Sequence, residues 1–146
     1  MNMKAVRFQE YGGPEVLEVA DVPEPSPGRG GVVVRVVAAG INPGESAIRS
    51  GAMKEVYPAN FPEGQGSDLA GVISSVGEGV EDVSVGDTVI GMSDSRNAHA
   101  EYALLPADRV TPRPKELDWA VAGSLYVAGT TAEVMMRAVR PSEARR

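Results

Sequence analysis

Glycine and proline interrupt this chain so often that long regular elements have little room over most of its length. The 146 residues include 17 glycines and 11 prolines, and the runs between them are short and rich in valine and isoleucine. This spacing is typical of an all-β barrel or sandwich, because glycine and proline mark turns between short strands. Six runs are predicted to be strands: 4–8, 16–22, 32–40, 69–77, 88–92 and 100–110.

Two segments do not follow this pattern. The stretch 40–68 is predicted to be irregular, with one helical turn near Glu45–Ser50, and a loop of this length in a compact domain is usually functional or disordered. From Pro114 onward the alternation is lost, and the abundance of Ala, Leu, Met, Glu and Arg favours a helix that Pro141 is expected to end. The apolar positions on one face of that helix are Leu125, Ala128, Ala132, Met135 or Met136, and Val139.

Charge and residue types exclude several classes of protein. The formal net charge of −6 argues against nucleic acid or an anionic membrane surface as the main partner. No apolar run approaches the roughly 18 residues that span a bilayer, and no signal-like segment follows Met1, so a cytoplasmic location is expected. The chain has no cysteine and one histidine, His99, so we expect no disulfide, no thiolate zinc site and no iron–sulfur cluster.

A few polar residues lie where they could carry chemistry. Asp68, in GSDLAG before a strand, is interpreted as a buried carboxylate or general base, with a capping or turn carboxylate as the alternative. Asn42, in AAGINPG after a strand, offers an amide donor and acceptor at the mouth of a barrel, or simply ends the strand before a proline. His99 is interpreted as a structural strand-edge residue, and Arg49 as a solvated charge, with an anion contact as the alternative.

Phosphate-binding signatures are not found. The Gly-rich segments do not fit G-x-G-x-x-G, so the chain is not expected to encode a dinucleotide-binding βαβ unit.

Four motifs occur in a familiar order: GVVVRVVAAGINPGESAIRSG, GSDLAGVISSVGEGVEDVSVGDTVIG, AEYALLPADRV and VAGTTA. Together they resemble the medium-chain dehydrogenase/reductase superfamily, and within it the zinc-independent quinone oxidoreductase (zeta-crystallin-like) branch. The resemblance implies a mainly β fold, a GroES-like partly open β-barrel with a C-terminal helix, and no Rossmann domain. It further implies a GroES-like substrate or catalytic domain over 1–122, and a terminal helix over 123–146 that leads, in the family, into the dinucleotide-binding domain.

The resemblance also assigns site residues. Asn42 stands where zinc-dependent relatives carry a catalytic cysteine, and Ser67 and Asp68 stand where they carry a His–Glu pair, so no metal and no zinc are expected. In the zinc-independent branch the corresponding Asn and Thr lie near the nicotinamide of NADPH, which points to Asn42 and Thr131 as cofactor-binding residues and to Asn42 and Asp68 as catalytic. Two positions, Ala47 and Glu133, depart from the aromatic residues that many relatives carry.

These implications lead to one main expectation and two alternatives. The chain is expected to be the GroES-like catalytic portion of an NADPH-dependent quinone or enone oxidoreductase, in a truncated or domain-only form. Without a backbone N–H cradle for pyrophosphate it is not expected to bind the cofactor tightly by itself. One alternative is a freestanding barrel that binds a small apolar ligand or acts as a cofactor-free isomerase or cyclase. The other is an interaction module that forms a homodimer through an exposed apolar face of the terminal helix, unless that face packs back on the barrel.

Overall fold

Two antiparallel sheets make up most of the structure, a computed structural model that describes residues 1–139. The strands are β1 (Asn2–Phe8), β2 (Glu18–Pro23), β3 (Gly31–Ala39), β4 (Glu63–Gly64), β5 (Asp68–Val76), β6 (Thr88–Met92), β7 (Tyr102–Pro106) and β8 (Val110–Pro112). The helices are α1 (Pro43–Arg49), α2 (Trp119–Ala122) and α3 (Tyr126–Ala138), with single 3₁₀ turns at Pro14–Val16 and Ala107–Arg109. The predicted mainly β fold with a helix near its end is confirmed.

The order of the strands places the longest pair at the centre. The larger sheet runs β7-β3-β5-β6-β8 and the smaller one β2-β1-β4. β3 and β5 pair over most of their length, with a register shift between Val36 and Ala38 near the end of β3. A bridge between Ala5 and Ala100, and a 2.8 Å bond from the Val6 N–H to the His99 carbonyl, join the smaller sheet to the segment before β7. The two sheets are therefore linked beside the end of β3.

Branched aliphatic side chains from the larger sheet form the main core. Alternate residues of β3 and β5 point to one face, and β6 and β7 complete the cluster, which is the arrangement expected when one face of an antiparallel sheet is buried. Its largest members are Val32, Val34, Leu69, Ile73, Val89 and Leu105, each at most 1% exposed. Burying each such side chain contributes about 1.5–3 kcal/mol, so this face holds β3 and β5 firmly in register.

The structure differs from the predicted elements in four places, one of which is the run 100–110: it holds β7, a 3₁₀ turn and the start of the additional strand β8. The helical turn predicted near Glu45 is the two-turn helix α1, and the stretch predicted as irregular also contains the two-residue strand β4. The predicted terminal helix is divided into α2 and α3. Gly123, which follows α2, lies so close to β3 that an added Cβ would sit 2.8 Å from the Ala38 carbonyl. The chain turns at this close contact before α3 begins.

α3 is packed at its start and bare along the rest of its described length. Tyr126 packs against the cluster formed by Ala70, Ile90 and Ala122. Further along, Met135 and Met136 are 64% and 65% exposed. The alternative that this face packs back on its own barrel is therefore wrong for residues 1–139, and Pro141 lies outside the described residues. None of the helices within residues 1–139 is long and apolar enough to cross a membrane.

Candidate functional site

The exit of β3 and the start of β5 bring two predicted site residues together. The Gly40 N–H donates to the Asp68 carbonyl at 3.1 Å, which ties the chain leaving β3 to the first residue of β5. Asn42 follows as the N-terminal cap residue of α1, and Pro43 occupies the first helical position, where its missing N–H costs nothing. As a result the Asn42 Nδ2 lies 3.4 Å from the Asp68 Oδ2.

Asp68 also contacts the start of α3. Its Oδ1 accepts a hydrogen bond from the Val127 N–H at 3.1 Å, so the carboxylate caps the first turn of that helix. The side chain is only 1% exposed, and this burial raises the pKa of Asp68; repulsion from Glu45 acts in the same direction, while the bonds from Val127 and Asn42 oppose it. Both interpretations from the sequence, a buried carboxylate and a cap, therefore describe this one residue.

Glu45 is a site residue that the sequence interpretation missed. It lies on α1, is 4% exposed, and accepts hydrogen bonds from the Ser67 N–H at 2.9 Å and from the Gln65 Nε2 at 3.4 Å. The Asn42 Nδ2 lies 3.5 Å from its Oε1. The spacing of Asn42 and Glu45, cap residue and third helical residue, is that of a capping box and could have indicated this residue. Here, however, the Asn42 side chain does not cap the helix.

His99 holds the chain segment that leads to Asn42. Its Nε2 lies 2.8 Å from the Gly40 carbonyl, two residues before Asn42, and donates when that nitrogen carries the proton. The ring covers Gly66, whose φ of +94° and crowded surroundings exclude a larger residue. The structure agrees with the interpretation of His99 as a structural residue beside a strand.

Thr131 lies apart from the two carboxylates. It is exposed on α3, one turn after Val127, and no hydrogen bond joins its hydroxyl to another part of residues 1–139. The neighbouring Thr130 is different, because its hydroxyl donates to the Tyr126 carbonyl at 2.8 Å. A surface groove of about 280 Å³ is lined by Thr130, Thr131, Val134 and Met135. The structure thus connects Thr131 to Asp68 through the helix and not through a direct bond.

Arg49 corrects one interpretation. It was expected to be a solvated charge, but it is buried at the end of α1, and its Nε donates to the Gly13 carbonyl at 3.2 Å. The guanidinium therefore fastens α1 to the turn before β2.

Metal ligands are not assembled in the part of the chain that the structure describes. Across residues 1–139, no three His, Cys, Asp or Glu side chains are grouped so that they could hold a metal ion.

Residues 28–137 match the family described as alcohol dehydrogenase GroES-like domain. The chain belongs to this family. Among curated proteins, it is 41% identical over 131 residues to a quinone oxidoreductase of Rattus norvegicus, a match that covers 89% of this chain and 39% of the relative. The chain thus spans about two fifths of that relative, its N-terminal part.

Solved structures support the same assignment. The quinone oxidoreductase of Coxiella burnetii superposes with a TM-score of 0.87 at 31% identity, covering 94% of this chain and 45% of that one. The Escherichia coli quinone oxidoreductase, solved in complex with NADPH, superposes with a TM-score of 0.85 at 29% identity, covering 92% and 40%. The predicted GroES-like fold and the resemblance to quinone oxidoreductases are confirmed.

Two polar groups of this GroES-like domain could meet the nicotinamide end of a dinucleotide. The Asn42 Oδ1 and the Thr131 hydroxyl make no hydrogen bond to other residues within 1–139 and are therefore available to a ligand. Residues 1–139 provide no binding site of the usual kind for the pyrophosphate of the dinucleotide. Their two sheets are antiparallel and contain no βαβ unit with a glycine-rich turn. The described sheets therefore offer no match for the pyrophosphate, while the Asn42 Oδ1 and the Thr131 hydroxyl remain free polar groups.

Proposed function

We propose that this GroES-like domain supplies the substrate side of an NADPH-dependent oxidoreductase that reduces a quinone or an activated alkene. The observation that carries the proposal is the meeting of Asn42 and Asp68 between β3, β5 and α3. The quinone oxidoreductases named above support the reaction class, and the NADPH in the Escherichia coli complex supports the cofactor.

NADPH, when bound, supplies the hydride; the domain contributes position and shielding. Asn42 and Thr131 are proposed to orient the nicotinamide through the two polar groups left available. Asp68 is buried, and each of its oxygens already accepts a hydrogen bond, which favours a role that acts through Asn42. A direct catalytic role for Asp68 stays a prediction.

Residues 1–139 by themselves are proposed to bind NADPH weakly. Tight binding of a dinucleotide usually relies on a helix N-terminus and a glycine turn around the pyrophosphate, and the described sheets offer neither. Their contribution should therefore be concentrated at the nicotinamide end.

The experiment is a fluorescence titration of the chain with NADPH, with a quinone and an enone tested for turnover alongside. Thr131→Val should weaken binding, whereas Thr130→Val, the matched control, should not, because the Thr130 hydroxyl is already bonded within its own helix. Binding that is equally unaffected by both substitutions would contradict the role of Thr131. An absence of binding at millimolar NADPH would contradict the proposed cofactor for this chain.

A second candidate is favoured by a groove beside the end of β3. This groove has a volume of about 430 Å³ and is mainly apolar, with Val19, Val36, Val37, Ala38 and Ala39 among its lining residues. It could hold a small apolar molecule without any redox step. Ligand binding that persists in Asn42→Leu and is accompanied by no NADPH turnover would favour this candidate.

A further inference from the structure

The side chain of Asn42 has two carboxylates as neighbours. Its Nδ2 lies 3.4 Å from the Asp68 Oδ2 and 3.5 Å from the Glu45 Oε1. An amide nitrogen carries two N–H donors, so one can be directed to each carboxylate. The opposite orientation would turn the amide oxygen towards two acceptor groups and would be repelled by both.

Hydrogen bonds from two other residues fix the position of the Glu45 side chain. The Ser67 N–H and the Gln65 Nε2 donate to its two oxygens, and the side chain is almost fully enclosed. Turning this carboxylate away from Asn42 would leave those buried donors without an acceptor, which is costly. The Glu45 carboxyl group therefore stays beside the amide.

We propose that Glu45 is a positioning residue that, together with Asp68, fixes the Asn42 amide with its N–H groups towards the carboxylates and its Oδ1 free for a ligand. The site then takes a hydrogen-bond donor, a hydroxyl or an amide N–H, at Asn42. The orientation of the amide follows from this chain's own contacts, while the assignment of the donor to NADPH rests on the proposed function.

An exchange of groups tests the orientation. Asn42→Asp places a third carboxylate beside Asp68 and Glu45 and should lower the urea midpoint of unfolding. Adding Glu45→Gln restores the original count of one amide and two carboxylates, but its single oxygen cannot accept from both Ser67 and Gln65, so it should recover only part of the lost midpoint. Adding Glu81→Gln removes the same charge from an exposed residue and should recover little.

The positioning role of Glu45 would be overturned if Glu45→Gln and Glu81→Gln raised the urea midpoint of Asn42→Asp equally. It would also be overturned if Asn42→Asp alone left the midpoint unchanged. In either case NADPH turnover by the unmodified chain would leave the proposed function standing.

The same variants test the donor character of the ligand. In the double variant Asn42→Asp/Glu45→Gln, called the exchanged pair, the new carboxylate still presents a hydrogen-bond acceptor. Asn42→Leu presents none. NADPH should bind Asn42→Leu about tenfold more weakly than the unmodified chain, the loss expected for one hydrogen bond, and the exchanged pair should recover most of that affinity.

Two outcomes separate the inference from the proposed function. Affinity of the exchanged pair as weak as that of Asn42→Leu would overturn the donor assignment. An absence of NADPH binding to every variant, with the urea results as expected, would overturn the dinucleotide as ligand and leave the positioning role of Glu45 supported.

Discussion

Gly66→Ala should destabilise the domain through its contact with His99. Gly66 has a φ of +94°, and an added Cβ would sit 2.3 Å from the His99 Cδ2 and 2.7 Å from its Nε2. The left-handed backbone costs about 1–2 kcal/mol for a residue with a Cβ. Displacing the ring adds roughly 1–3 kcal/mol of overpacking, and losing the bond between the His99 Nε2 and the Gly40 carbonyl adds about 1 kcal/mol. We expect a total of about 3–6 kcal/mol from these terms, a large share of the roughly 5–15 kcal/mol of a typical domain.

Gly86 provides the matched control. Its φ of +97° is nearly the same, but nothing lies within 4 Å of an added Cβ. Urea unfolding followed by circular dichroism should therefore show a cost of about 1–2 kcal/mol for Gly86→Ala, the backbone part alone. In a His99→Ala background, Gly66→Ala should cost no more than this control. Equal costs for Gly66→Ala and Gly86→Ala in the unmodified chain would refute the contact with the ring as the cause.

Three further outcomes are expected. Because burial raises the pKa of Asp68 above its ordinary value of 3.8, the folded chain holds that proton more tightly than the unfolded chain. Asp68 therefore contributes less stability as pH rises from about 3.8 through the folded pKa. Urea titrations of the unmodified chain and of Asp68→Asn measure this contribution. The difference in their free energies of unfolding, unmodified chain minus variant, should fall across this pH range. Leu69→Ala, at a fully buried position of β5, should lower the free energy of unfolding by about 2–5 kcal/mol, and a loss below ~1 kcal/mol would mean that the core closes around the gap. The bare face of α3 should cause concentration-dependent self-association in sedimentation velocity; Met136→Glu should reduce it while changing the free energy of unfolding by less than about 0.5 kcal/mol.

Short apolar runs between glycines and prolines predicted six of the eight strands that residues 1–139 form; β3, β5, β6 and β7 contribute buried residues to the main core, whereas β2 has none. The run 88–92 coincides with β6, and the run 32–40 differs from β3 by one residue at each end. β4 carries no such signal, since a strand of two residues has no period. The break between α2 and α3 was not predicted either, because it arises from the contact of Gly123 with β3, a packing fact that local propensity does not contain.

The site was predictable in part. The resemblance pointed to Asn42, Asp68 and Thr131, and the structure joins the first two directly. Glu45 was missed because glutamate in a short polar helix is usually a solvated residue, and its burial depends on donors at least 20 positions away along the chain. Arg49 was misinterpreted for the same reason. Long-range partners decide the state of such charges, and residue type alone does not report them.

The bond from the Val127 N–H to Asp68 has a consequence for how mutagenesis of this domain is interpreted. One carboxylate is both a neighbour of the Asn42 amide and the anchor of α3, so any substitution of Asp68 alters chemistry and architecture at once. Lost turnover in such a variant would not identify a chemical role. The two roles can be separated by changing the donor of the bond instead of Asp68. Val127 lies in the first turn of α3, where proline is tolerated, so Val127→Pro removes the N–H and leaves the carboxylate unchanged. Val127→Pro thus distinguishes the role of Asp68 as the anchor of α3 from its role beside the Asn42 amide.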